Sequence, residues 1–299
     1  MTNIEFGIGL RRLDNVSDDA KIAEDLGYSY ICAGEHVFFY GPINNGLIAL
    51  AAAAGATSSI KLISTITLVP LYPPAMLAKQ VATLATISGN RFNLGVGVGG
   101  EFAKEFEACG VPVNERGART NEALEVMQQL WTEDNVEFNG RYTTLPGLTL
   151  EPKPGNIPIW ISGRSDAALK RCANYGSGWL PYMYTPDMLS DSIKKISSYR
   201  APEKPEIDPG LFIFCSVHPD RDTALQMASD RLSKQYNQDF SQLVGKYAIA
   251  GNPDDCIARI QEYIDAGATT IIFNSACPQH HVIENERLLA AEVLSAFPR

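Results

Sequence analysis

The sequence predicts a mixed α/β fold, a (β/α)8 TIM barrel with an insertion at about 133–156. Short apolar segments alternate with helical segments along the chain, and eight of the apolar segments have the composition of buried strands. The length of 299 residues and the hydrophobic fraction of 45% suit one large core. We therefore expect residues 1–299 to form a single domain, with its functional site at the carboxyl ends of the strands.

The strand and helix candidates follow one another in regular order. The strands are predicted at 4–10, 28–36, 61–69, 91–100, 157–163, 177–183, 211–217 and 268–274. The helices are predicted at 17–27, 46–58, 73–89, 116–132, 165–176, 187–199, 220–245 and 283–296, with Ser17 capping the first. This alternation favours a parallel sheet. An open doubly wound sheet is the alternative, but the glycines at 95–100 lack the G-x-G-x-x-G spacing of its dinucleotide site.

Composition argues against several functional classes. The net charge of −9 is unfavourable for nucleic-acid binding. No segment approaches the ~18 apolar residues of a membrane span, and the amino terminus carries no signal-peptide pattern. Six cysteines without C-x-x-C spacing indicate reduced thiols, and no H-E-x-x-H or clustered Cys/His pattern indicates a metal. We therefore expect a cytoplasmic protein without a membrane, nucleic-acid or metal partner.

The second predicted strand ends in the charged pair Glu35-His36. A histidine at such a position can donate a proton to a ligand or accept one from it, so both residues are catalytic candidates. The alternative is a loop histidine that Glu35 holds in place.

The third and fourth strands end in small residues. Ser64, Thr65 and Thr67 can line a flat ligand without crowding it. The alternative is the ordinary β-propensity of threonine in a strand. Gly97 and Gly99 allow a ligand or a backbone to approach closely, but a tight turn requires glycine as well. These five residues are candidate cofactor contacts.

The fifth strand leads into Gly163, Arg164 and Ser165 at the start of a helix. Free N–H groups and the helix dipole favour an anion there, and the guanidinium of Arg164 suits phosphate. The alternative is an ordinary helix cap with an arginine facing solvent. This turn is the candidate phosphate site.

Three long stretches resemble the luciferase-like monooxygenase superfamily, in the same order. They are ITLVPLYPPAMLAKQVATLATISGNRFNLGVGVGGEFAKEFEACGVPVNERGARTNEALEVMQQLW, VEFNGRYTTLPGLTLEPKPGNIPIWISGRSDAALKRCANYGSGWLP and AGNPDDCIARIQEYIDAGATTIIF. Together they cover most of the chain. The resemblance implies a TIM barrel, often a homodimer, that binds FMN or the deazaflavin coenzyme F420.

The resemblance leaves three functions open. Deazaflavin-dependent members move a hydride between C5 of coenzyme F420 and a small organic substrate, whereas FMN-dependent members activate O2 on reduced FMN that a partner flavin reductase supplies. The run G-V-G-V-G-G-E-F-x-x-E-F is most similar to the deazaflavin branch, which we therefore favour. A non-catalytic flavin-binding barrel is the third alternative, but such members are shortened, and this chain keeps eight strand candidates.

Matched positions extend these assignments. The resemblance implies a non-prolyl cis peptide bond at Ser64–Thr65, a cofactor contact at Thr67 and a phosphate turn at 163–165. It also implies a ring contact for Glu35-His36, where Asp-His is usual.

The resemblance also bears on the substrate. Some F420-dependent dehydrogenases carry a proton-transferring glutamate at the position of Gly100; here Glu101 follows one residue later, which argues against the sugar-phosphate reaction. The substrate is expected between the loops at 37–46, 101–115 and 275–285. In the first of these loops Phe38, Phe39 and Tyr40 form either an aromatic wall for the substrate or a dimer contact.

Overall fold

Residues 3–10 and 14–298 are described by a computed structural model of the protein. The strands are β1 (Glu5–Gly9), β2 (Tyr30–Ala33), β3 (Lys61–Ser64), β4 (Thr67–Leu68), β5 (Phe92–Gly97), β6 (Val136–Asn139), β7 (Thr144–Leu148), β8 (Ile159–Ile161), β9 (Gly178–Trp179), β10 (Asp208–Val217), β11 (Ala248–Gly251) and β12 (Thr270–Ser275). The helices are α1 (Val16–Asp25), α2 (Gly46–Ala56), α3 (Pro74–Ile87), α4 (Ala103–Ala108), α5 (Arg116–Thr132), α6 (Asp166–Tyr175), α7 (Pro186–Tyr199), α8 (Arg221–Tyr236), α9 (Val244–Tyr247), α10 (Pro253–Asp265) and α11 (Val282–Leu288).

Eight parallel strands close into a barrel, which confirms the predicted fold class. Their order around the barrel is β1, β2, β3, β5, β8, β9, β10 and β12, and β12 pairs with β1 again. The short β4 continues the third barrel strand and pairs with β5. The strand β11 pairs with the carboxyl-terminal residues of β10. Since all strands of a parallel barrel run the same way, their carboxyl ends surround one mouth.

The inside of the barrel is filled by large side chains. Tyr30, Cys32, Ile63, Trp160, Leu180 and Ile272 form one buried cluster. The indole Nε1 of Trp160 donates a hydrogen bond to Oδ1 of Asn93 over 3.3 Å, so the polar atom of this interior ring has a partner. The barrel is therefore a packed core, and ligand space lies at its mouth.

Several predicted boundaries change in the structure. The first helix begins after Asn15 and not at Ser17. The helix predicted over 220–245 ends at Tyr236, because Asn237 adopts a left-handed conformation with φ of 49°. The elements α4, β11 and α10 were not predicted as separate elements. The insertion is confirmed as an antiparallel hairpin of β6 and β7.

The cysteines and the length of the helices can be compared with the predictions from composition. All six cysteines are free thiols, and five of them are buried. Within the described ranges, no helix has both the length and the apolar character that a membrane crossing requires.

Candidate functional site

The third barrel strand is interrupted by a bulge at the mouth. Regular pairing stops at Ser64 and resumes at Thr67, and the peptide bond Thr65–Ile66 between them is cis. The expected cis bond at Ser64–Thr65 is therefore misplaced by one residue. Thr65 and Ile66 are partly exposed, so the bulge presents these two residues at the mouth.

Two buried hydroxyls hold the bulge from behind. Oγ of Ser64 accepts a hydrogen bond from the backbone N of Gly95 over 2.9 Å and donates one to the carbonyl O of Gly95 over 3.0 Å. Oγ1 of Thr67 donates to Oγ of Ser64 over 3.0 Å. Both residues are 0% exposed, which corrects their expected role as cofactor contacts: they join the bulge to β5.

The glycines of β5 make room for this bulge. A Cβ atom at Gly95 would lie 1.8 Å from the carbonyl O of Ser64, and one at Gly97 would lie 1.5 Å from Cδ1 of Ile66. The space that was expected to admit a ligand at Gly97 is thus filled by a protein side chain. Gly99 lies in the turn after β5, where a Cβ would be 3.0 Å from the ring of Phe106.

Glu35 is a buried link between neighbouring elements and does not face the mouth. Its Oε1 accepts a hydrogen bond from the backbone N of Leu68 over 2.8 Å, and its Oε2 accepts from the hydroxyl of Tyr72 over 3.0 Å and from the backbone N of Gly46 over 3.3 Å. Burial raises the pKa of this carboxyl, while these donors act in the opposite direction. Glu35 therefore links α2, β4 and Tyr72, and its predicted catalytic role stays a prediction.

His36 is held by a carboxylate from another element. Its Nδ1 lies 3.0 Å from Oε1 of Glu105 on α4, and that carboxylate also accepts a hydrogen bond from the backbone N of Val37 over 3.1 Å. The side chain of His36 is 12% exposed and that of Glu105 is 0% exposed. Within the described residues Nε2 of His36 makes no hydrogen bond, so it is the ring nitrogen left for a ligand.

Aromatic rings extend this histidine into one wall of the mouth. The ring of Phe39 stacks on His36 at 4.1 Å, and Tyr40 packs edge-on against both Phe39, at 5.1 Å, and Phe102, at 5.4 Å. The loop after β2 is thereby joined to the loop after β5. Of the aromatic residues predicted near the substrate, Phe39 contacts His36 directly and Tyr40 contacts Phe39.

The candidate phosphate turn lies where predicted, at the amino end of α6. Oγ of Ser165 caps the helix by accepting from the backbone N of Ala168 over 3.3 Å, and the carbonyl O of Gly163 accepts from Nε1 of Trp179 over 3.2 Å. Arg164 is exposed, with its guanidinium carbon 5.4 Å from the ring centre of Tyr182. The turn combines an open helix terminus with a cation that no carboxylate neutralises among the described residues.

Glu101 lies on the same side of the mouth. Its Oε1 accepts a hydrogen bond from the hydroxyl of Tyr182, the residue over which Arg164 lies. Burial and this carboxylate raise the pKa of the Tyr182 phenol. An acid is therefore present at the end of the fourth barrel strand, although Gly100 occupies the position where one was expected.

Known proteins share the sequence pattern and the fold of this chain. A family model described as luciferase-like monooxygenase matches residues 5–270. The chain belongs to the luciferase-like monooxygenase family.

Two relatives match different shares of this chain. An uncharacterized protein of Mycobacterium tuberculosis is 34% identical over 178 residues, which is 59% of this chain and 61% of that protein, so the match spans less than two thirds of the relative. The F420-dependent glucose-6-phosphate dehydrogenase of Amycolatopsis mediterranei is 27% identical over 312 residues, covering 93% of this chain and 91% of that enzyme.

Solved structures show the same fold. A monooxygenase from Streptomyces bottropensis superposes with a TM-score of 0.84 at 22% identity, covering 98% of this chain and 99% of that one. An F420-dependent secondary alcohol dehydrogenase in complex with an F420-acetone adduct superposes with a TM-score of 0.82 at 22% identity and the same coverage. One luciferase-like barrel thus occurs in proteins described by different reactions, and the fold alone does not choose between them.

Glu105 and Tyr182 were not predicted as site residues. Glu105 belongs to the repeated E-F of E-F-x-x-E-F, but it lies in the unpredicted helix α4, so its contact with the loop after β2 was not foreseen. Tyr182 lies inside a predicted strand, which in the structure ends at Trp179.

The close contact between Gly95 and Ser64 predicts how one methyl group added at residue 95 changes the free energy of unfolding. Gly95→Ala is expected to destabilise the protein by about 3 kcal/mol, because the new Cβ overlaps a backbone oxygen that cannot move without breaking the bulge. Gly55→Ala is the control: no atom lies within 4 Å of its added Cβ in α2, so it should stabilise by about 0.5–1 kcal/mol. Urea unfolding measures both, and equal effects would contradict the tight contact.

The carboxylate of Glu105 predicts protection of one backbone amide. In Glu105→Ala the amide of Val37 loses its acceptor, and its hydrogen exchange should accelerate about tenfold or more. Glu107→Ala, on the same helix, should leave that exchange rate unchanged. Exchange measured by NMR or mass spectrometry tests this, and the same rate in both variants would show that Glu105 does not hold the loop.

Proposed function

We propose that this chain is an oxidoreductase that uses coenzyme F420 to transfer a hydride to or from a small organic substrate. The observation that carries the proposal is the arrangement of His36, which Glu105 fixes through Nδ1 while Nε2 remains without a partner among the described residues. The preference for F420 is supported by the dehydrogenase relative that matches 93% of the chain.

The residues at the mouth fit such a coenzyme. The bulge at Thr65 and Ile66 is partly exposed and backed by the buried Ser64, which suits the face of a flat ring. The turn at 163–165 offers helix N–H groups and the exposed guanidinium of Arg164 to a phosphate. We therefore propose Thr65, Gly163, Arg164 and Ser165 as direct contacts of the coenzyme, with Ser64, Thr67, Gly97 and Gly99 shaping the surface beneath it.

In this proposal the protein's own part is proton handling and positioning. When bound, the coenzyme supplies or takes up the hydride. A secondary alcohol that loses a hydride from carbon must also lose the proton of its hydroxyl, and the free Nε2 of His36 is the group that takes this proton. In the reverse direction Nε2–H returns the proton to the carbonyl oxygen. The buried carboxylate of Glu105 keeps Nδ1 as the donor nitrogen and so keeps Nε2 facing the ligand.

The second candidate is a monooxygenase that uses reduced FMN. The family description and the likeness to the Streptomyces monooxygenase favour it. It would need a flavin reductase as a partner, whereas F420 chemistry would not. A non-catalytic flavin-binding barrel is opposed by the eight closed barrel strands and by the held histidine.

We further propose a single cytoplasmic domain over 1–299 that forms a homodimer. The proposal of a dimer is supported by apolar side chains on the outside of α2 and α3: Ile48 is 73% exposed, Met76 56% and Ile87 59%. Exposed apolar groups on adjacent helices are typical of a surface that another protein covers.

Coenzyme titration tests the choice of cofactor. Coenzyme F420 should quench the protein fluorescence at lower concentration than FMN does, and Arg164→Gln should weaken F420 binding about tenfold, since it removes a charge-assisted phosphate contact. Arg141→Gln, on the hairpin insertion, is the control and should bind as the wild type does. Tight binding of FMN without binding of F420 would contradict the preferred branch and favour the monooxygenase.

The role of His36 is tested by turnover. His36→Ala should bind F420 normally but lower the rate of hydride transfer by about 10²–10⁴-fold with any alcohol or carbonyl compound that the wild type accepts. Normal turnover in His36→Ala with the coenzyme bound would remove this residue from the mechanism.

A further inference from the structure

A second concave region lies between α8 and the loop after β12. This cleft has a volume of about 600 Å³ and is lined by Gln226, Asp230, Arg231 and Lys234 on one side and by Pro278 and Gln279 on the other. The α8 residues recur at spacings of three and four, so they share one face of the helix. The opposite face, at Ala224, Ala228 and Leu232, is buried.

The cleft is lined by two basic side chains, Arg231 and Lys234, and by one carboxylate, Asp230. Among the described residues, Arg231 and Lys234 form no ion pair, and both are exposed. The one acid in the lining, Asp230, accepts a hydrogen bond from Nε2 of Gln226 over 2.7 Å. The lining therefore keeps an excess of one positive charge in a protein whose net charge is −9.

The cleft belongs to the same end of the barrel as the candidate active site. The helix α8 follows the carboxyl end of β10, and the loop at 276–281 follows the carboxyl end of β12. Tyr236, at the end of α8, packs on Phe214 of β10 at 6.1 Å. Burial raises the pKa of the Tyr236 phenol to about 12; Glu101 adds to this increase, and Arg231 opposes it. Tyr236 thus lies within electrostatic reach of both the mouth and the cleft.

We propose that this cleft binds an anionic group of the substrate, a carboxylate or a phosphate, through Arg231 and Lys234. This inference rests on the proposed function, because the molecule that exchanges a hydride with the coenzyme is the substrate. The cleft would hold an acidic group of that substrate at a distance from its reacting carbon. Arginine and lysine together provide a planar fork and a point charge, which both anions accept.

The acidic parts of the coenzyme are a second source of the same chemistry, and the position of the cleft argues against them. The proposed coenzyme phosphate site follows β8, whereas the cleft follows β10 and β12, which lie two and three strands further around the barrel. The turn at 163–165 already provides the site proposed for the coenzyme phosphate, so the cleft is left for an anionic group of another molecule. The substrate is therefore the group that this cleft receives.

Calorimetric titration with inorganic phosphate tests the proposal. All proteins carry Arg164→Gln, so that the turn at α6 does not contribute to the signal. The double variant R231Q/K234Q should weaken phosphate binding about tenfold or more, because it removes two charged donors. The control R221Q/K246Q removes the same charge from the surface outside the cleft and should change the affinity by no more than about twofold.

A parallel titration with coenzyme F420 separates the outcomes. If R231Q/K234Q binds F420 as tightly as the Arg164→Gln parent protein does but loses phosphate binding, the substrate assignment is supported. If it loses F420 affinity as well, the cleft holds part of the coenzyme, and the assignment is overturned. Absence of saturable phosphate binding, or equal loss in both double variants, also overturns it. Failure of the wild type to bind F420 would instead refute the proposed function, and the phosphate comparison would still stand by itself.

Discussion

The site depends on the attachment of the third barrel strand to the fourth through one hydroxyl. Ser64 both donates to and accepts from the backbone of Gly95, and this pair of bonds exists only because residue 95 has no side chain. A regular strand would hide Thr65 and Ile66 in the sheet. The clamp instead fixes the chain on either side of them and leaves both at the mouth. The exposed face of the bulge therefore depends on the buried Ser64 and on Gly95.

Two buried carboxylates, which follow the neighbouring strands β2 and β5, perform a similar task beside the bulge. Glu35 receives hydrogen bonds from α2, from β4 and from a tyrosine, while Glu105 receives them from the loop after β2 and from His36. A buried carboxylate is costly without donors, so each one requires these backbone groups to remain in place. The catalytic candidate His36 lies directly between them in the fold. Its orientation follows from packing and hydrogen bonding that were established before any ligand binds.

The barrel could be predicted from the sequence because its signals are local. Apolar runs of strand length alternate with helical segments along the sequence, and each can be recognised without its neighbours. The site was predicted less completely, because its decisive contacts join distant residues. His36 and Glu105 are 69 positions apart in the sequence. The residues around Glu35 also give no sign that its carboxylate is buried while the neighbouring His36 lies at the mouth. Gly97 was predicted as a place of close approach, but the approaching group is Ile66 and not a ligand.

We propose that a deazaflavin ring lies on the bulge at Thr65–Ile66, with His36 available to the substrate beside it. A crystal structure of the protein with coenzyme F420 would locate the ring. We expect the ring in contact with Thr65 and Ile66, the phosphate at 163–165 and Nε2 of His36 facing the substrate space. A coenzyme bound away from the bulge, or one whose phosphate occupies the cleft of Arg231 and Lys234, would contradict this proposal.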